Sequence, residues 1–86
     1  MIEIRITDEK LDIRGHAGYA KDREDIVCAA VSILAYTFMQ VEDVDVLEYT
    51  EDSIVVTYEK GVDTSFIMTG FRLIAKDYPE NVRILT

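Results

Sequence analysis

Eighty-six residues with no break in composition make one domain (1–86) near the lower end of the usual size range, with about 60–65% of the unfolded surface buried on folding. Seventeen acidic residues against nine basic ones leave a formal charge of −8, which removes the attraction to phosphate that dominates nucleic-acid affinity and argues against direct DNA or RNA binding. A single cysteine excludes an internal disulfide and points to a reducing, cytoplasmic setting, while no apolar stretch approaches the ~20 residues of a membrane span.

Ile2, Ile4 and Ile6 alternate with Glu3, Arg5 and Thr7, the period of a strand with one wet face. The same segment, MIEIRITDEK, lacks the basic stretch and apolar run of an export signal. Asp8 and Glu9 suit a tight turn, and Leu11, Ile13 and Gly15 resume the alternation, so residues 10–17 are expected to return as the second arm of a hairpin with His16 at its end. Gly18, Tyr19, Ala20, Lys21, Asp22, Arg23 and Glu24 have no apolar period and are expected to form an exposed loop, either a plain connector or a flap over a site between His16 and Cys28.

Residues 25–41, DIVCAAVSILAYTFMQV, predict the strongest helix, with the Asp25 carboxylate as its N-cap. Ile26, Ala30, Ile33 and Phe38 fall on one side, and Val27, Val31, Leu34 and Met39 on the next, leaving Ser32, Tyr36 and Gln40 as a narrow polar strip. A helix apolar this far round needs cover on more than one face: a sheet on one side and a second subunit or helix on the other, which makes a homodimer the expected assembly. Strands are expected at 44–50 and 53–60, joined by a Glu51-Asp52 turn. A second helix starts at Asp63 or Thr64, carries Ile67, Phe71, Ile74, Ala75 and Tyr78 at helical spacing, and stops at Pro79. Val82, Ile84 and Leu85 predict a short last strand. The order ββαββαβ describes an α+β domain, a largely antiparallel sheet packed by two helices.

The chain holds one histidine and one cysteine, so Cys–His chemistry within a protomer has only His16 and Cys28 to use. A strand end and the start of the helix that follows are often neighbours. A thiol in the first helical turn would face unpaired N–H groups and the positive end of the helix dipole, which favour a thiolate and can hold an oxyanion, while a histidine in reach moves the proton. The alternative is that Cys28 is a small buried apolar residue and His16 a surface one. Asp25 reads as a helix cap or as a group orienting His16, and Ser32, one turn after Cys28, as a site contact or a surface serine. One histidine, one cysteine and scattered carboxylates match no zinc spacing, and neither a phosphate loop nor a dinucleotide fingerprint is present, so no metal or cofactor is expected.

Together, GHAGYA at 15–20 and DIVCAAVSIL at 25–34 resemble the two signature blocks of Prp, the bacterial ribosomal-processing cysteine protease family, and FRLIAKDYPENVRI at 71–84 is similar to that family's C-terminal segment. The resemblance implies that His16 and Cys28 are the catalytic pair, with Asp25 matching in type, and that the protein is a small homodimer with a flexible loop at Gly18–Glu24. It implies as substrate the short N-terminal extension of bacterial large-subunit ribosomal protein twenty-seven, cut after an apolar, aromatic-containing run, with virion proteins taking that place for phage-encoded relatives. A basic ribosomal protein is a fitting partner for a charge of −8. One departure is the run Lys21-Asp22-Arg23-Glu24, where members commonly place a glycine. Two other classes remain open: a non-catalytic assembly or interaction module that binds a basic ribosomal protein, and a thiol redox sensor, which has no resolving cysteine here.

Overall fold

The computed structural model describes the backbone of residues 1–15, 21–50 and 52–85, and the side chains of these other than 21–25. The elements run β1 (Ile2–Ile6), β2 (Lys10–Gly15), α1 (Lys21–Val41), β3 (Val44–Tyr49), β4 (Ser53–Tyr58), α2 (Ser65–Asp77) and β5 (Val82–Ile84). The strands form a sheet of order β3-β4-β2-β1-β5, antiparallel except for the β1–β5 pair. The predicted α+β class and its ββαββαβ order hold.

Strand alternation sets the two faces of the sheet. Ile2 and Ile4 of β1, Leu11 and Ile13 of β2, Ile54, Val56 and Tyr58 of β4 and Val82 of β5 point to one side, where they form a continuous core with Val27, Val31, Ala35 and Phe38 of α1 and Ile67 and Phe71 of α2. Both helices therefore lie on one face. The other face carries charge: Arg14 reaches Asp12 at 2.8 Å and Glu48 at 3.7 Å. Those two carboxylates belong to the cross-strand neighbours of Val55, and Val55 is only 5% exposed on this otherwise wet face.

β3 and β4 end at Tyr49 and Tyr58, one and two residues short of the expected 50 and 60, and both helix starts differ from the sequence-based expectation. α1 begins at Lys21, four residues before Asp25, so Lys21, Asp22, Arg23 and Glu24 are helical and not part of a loop. Apolar periodicity marks where a helix is covered, whereas Lys, Arg and Glu are good helix formers that extend it without cover, and acidic side chains are favourable near its positive end. Asp25 is accordingly an interior helical residue and not the N-cap. The expected grouping of α1's apolar residues also divides: Phe38 turns inward with Val27 and Val31, while Ile26 and Ile33 are 58% and 61% exposed. At α2, Asp63 does the capping from one position early, its Oδ1 accepting hydrogen bonds from the Ser65 N–H at 2.9 Å and the Ser65 hydroxyl at 2.6 Å. The helix ends as expected before Pro79, with the Tyr78 N–H on the Ile74 carbonyl.

Candidate active site

Cys28 is half-buried on the flank of α1 that faces the β3 side of the sheet, packed against the core. It opens into a cleft of about 530 Å³, within the size range of small-molecule and peptide side-chain pockets. Val31 and Ser32 continue the helix wall, Ile2, Ile13 and Ile54 make an apolar floor, and Gly15, Tyr49, Thr50, Asp52 and Ser53 form the rim. Ser32 is thus on the cleft, one turn beyond Cys28 as its spacing implied.

Three features of the backbone shape the rim. Gly15 has a φ of 100°, and a Cβ there would run into the Met1 carbonyl oxygen, so only glycine fits. Its N–H donates to the Asp52 carbonyl at 2.8 Å, which ties the residue before His16 to the β3–β4 turn. That turn is organised by Thr50, whose Oγ1 accepts from the Asp52 N–H at 3.1 Å and the Ser53 N–H at 3.0 Å, the local side-chain-to-backbone pattern that competes with strand pairing and favours a turn. The Ser53 hydroxyl in turn donates to Glu48.

Of the residues singled out from the sequence, Cys28 and Ser32 meet on this cleft. His16, Gly18, Tyr19 and Ala20 lie outside the described residues, as does the side chain of Asp25. Cys28 comes seven residues after the first helical residue, Lys21, so the free N–H groups of residues 21–24 lie about 6–10 Å from it along the axis. The expectation of a thiol in the first helical turn is therefore corrected: Cys28 lies about two turns in from the start of α1. Sequence reasoning also missed Tyr49, Thr50, Asp52 and Ser53 as site residues. The polar cluster TEDS was legible as a turn, but nothing local signals that the turn arrives beside Cys28.

The electrostatics are acidic, with Asp52 on the rim and Glu48 just behind it. Tyr49 stacks at 5.6 Å and 42° on Tyr36 of α1, and the hydrogen bond with the Tyr36 hydroxyl, followed by burial, raises the Tyr49 phenol above its ordinary range. Among the described residues no three His, Cys, Asp or Glu side chains are grouped to hold a metal ion, and no helix is long and apolar enough to cross a membrane. A half-buried thiol, an apolar floor and an acidic polar rim suit acyl transfer on an extended peptide.

Comparison with known proteins agrees with that chemistry. The family model described as cysteine protease Prp matches residues 1–83. The ribosomal processing cysteine protease Prp of Mycoplasma genitalium is 32% identical over 93 residues, covering 98% of this chain and 94% of the relative. Its Mycoplasma pneumoniae counterpart is 30% identical, covering 93% and 89%. The crystal structure of an essential ribosomal processing protease Prp from S. aureus with a covalently linked product peptide has the same fold, with a TM-score of 0.76, 20% identity and coverage of 96% and 94%.

Proposed function

The chain belongs to the cysteine protease Prp family, and from that premise we propose that it is the endopeptidase that removes the N-terminal extension of bacterial large-subunit ribosomal protein twenty-seven. Cys28 is the nucleophile and His16 the general base. The observation that carries this reading is the position of Cys28 on an apolar-floored cleft whose rim includes Gly15, the residue immediately before His16.

In the reaction His16 takes the Cys28 thiol proton as sulfur attacks the scissile carbonyl. The tetrahedral intermediate collapses, the C–N bond breaks, and the proton passes from His16 to the leaving amine. Water, deprotonated by His16, then cleaves the thioester and restores the thiol. Ser32 borders the substrate, and Asp25 supports the pair. An extended peptide lies across Ile2, Ile13 and Ile54 with its apolar side chains down, and the basic body of a ribosomal protein is drawn to the acidic rim and to the net charge of −8. The protein works in the cytoplasm, where ribosomal proteins mature, and as a homodimer, a reading supported by the exposed Ile33, Phe66 and Leu73 on the helical face.

The test is incubation with a peptide spanning the extended start of that ribosomal protein, read by mass spectrometry, beside Cys28→Ala and His16→Ala. One discrete cut by the wild-type chain and none by either variant is the expected result. A peptide that stays intact while binding all three proteins would sink the assignment and favour a non-catalytic interaction module.

A further inference from the structure

β3 breaks its own alternation. Val44 and Val46 pair with Tyr58 and Val56 of β4, but between Val46 and Glu48 the register shifts by one residue at Leu47, after which Glu48 pairs with Val55 and Tyr49 with Ile54. A bulge of this kind re-aims the side chains that follow it. Without it, strict period-two alternation from Val46 would place Glu48 on the helix-covered face and turn Tyr49 to the charged one. With it, Tyr49 sits beside Ile54 on the cleft side and Glu48 faces Arg14 on the other.

Tyr49, Ile54 and Ile13 lie side by side across β3, β4 and β2. The apolar floor therefore runs across the strands and stops at Tyr49, on the strand that ends the sheet. Cys28, Ser32 and Tyr36 follow one another at four-residue spacing along the facing side of α1, so Tyr36 stands about 12 Å beyond Cys28. Its ring leans on Tyr49, which holds the wall upright from the helix side.

We propose that Tyr49, turned into the cleft by the bulge at Leu47 and braced by Tyr36, is a specificity-determining residue that selects an aromatic side chain of the bound peptide at the sheet-edge end of the cleft. The inference rests on the peptidase reading for its consequence in turnover, but the contact itself is one of binding. Aromatic rings gain from offset or edge-to-face contact beyond the burial of their area, and an aliphatic floor alone would not tell an aromatic side chain from a branched aliphatic one.

The experiment uses three peptides that differ only in Phe, Leu or Ala at each apolar position in turn, measured for binding to the uncleaving Cys28→Ala chain and for turnover by the active one. At one position Tyr49→Ala is expected to lower the preference for Phe over Leu by roughly threefold to tenfold, through Kd and KM with kcat little changed, while Tyr49→Phe retains it. Deleting Leu47 is expected to reproduce the Tyr49→Ala pattern with the tyrosine still present, and circular dichroism reports whether that variant folds. An unchanged Phe-to-Leu ratio in folded Tyr49→Ala overturns the proposal even if cleavage is normal. Tyr49-dependent binding of the Phe peptide without any cleavage would uphold it and defeat the peptidase reading instead.

Discussion

Gly15 and Tyr58 show how much a single position can be required to do in a domain this small. At Gly15 the chain turns with a positive φ under the Met1 carbonyl, at the last described position before His16. Tyr58 is a core residue with a polar end: its ring meets Phe38 edge to face at 5.2 Å, and its hydroxyl donates to the Thr7 carbonyl at 2.7 Å. Burial, and then the nearby Asp8 carboxylate, push its phenol up to about 12 from 10. The native state thus holds this proton more tightly than the unfolded chain does. The stabilisation is whole below pH 10, declines as the unfolded phenol ionises, and is lost as pH rises through 12. Thermal midpoints taken from pH 9 to 11.5 should therefore fall more steeply for the wild-type chain than for Tyr58→Phe, and at pH 8 the variant should be less stable by about 1 kcal/mol for its lost hydrogen bond. Parallel curves would show that Tyr58 is not the group responsible.

At the scale of elements, the helix pair packs around a missing side chain. A Cβ on Gly70 would come within 2.7 Å of Leu34 Cδ1 and 2.8 Å of Cδ2, so the Leu34 methyl groups of α1 occupy the space that a side chain at position 70 would need. Glycine in a helix costs about 1 kcal/mol against alanine, and here close packing offsets it. Gly70→Val adds a branched side chain where Leu34 already sits, so it is expected to destabilise the fold by about 1–3 kcal/mol despite its better helix propensity, or a fall of very roughly 4–20 °C in Tm for a domain of this size. Calorimetry checks this; an unchanged or raised Tm would mean that the Leu34 side chain moves aside freely. β3 is the counterpart case, an edge strand whose bulge decides what lines the cleft.

For the whole molecule, the question is what covers the outer side of the helices. Ile33 is 61% exposed, Phe66 39% and Leu73 59%, and Phe66 and Leu73 flank Gly70 on α2 while Ile33 adjoins Leu34 on α1. A second copy seated on this seam would bury all three and supply the cover that a domain with a thin core lacks. Ile33→Glu is expected to convert the proposed dimer to a folded monomer in sedimentation velocity, since Ile33 takes no part in the core. A dimer that persists unchanged would place the interface on another face.

Local chemistry was enough for much of this protein. Two-residue alternation in Ile2–Ile4–Ile6 and in Leu11–Ile13 marks strands because successive side chains take opposite faces, and the spacing of Ile67, Phe71 and Ile74 marks α2 because a helix returns every 3.6 residues. The place of Ser32 beside Cys28 followed from the same helical arithmetic. The start of α1 was not legible, because Lys-Asp-Arg-Glu carries no apolar period and reads equally well as loop. Nor was the bulge at Leu47: one residue inserted into a ladder is settled by which neighbours pack better, and those neighbours lie on β4 and α1. The rim residues Tyr49, Thr50, Asp52 and Ser53 come to Cys28 because β4 pairs with β2, a contact between segments some forty residues apart. Periodicity along the chain reports which residues are buried; which buried surfaces meet, and so what surrounds the cysteine, is decided by the folding of the sheet as a whole.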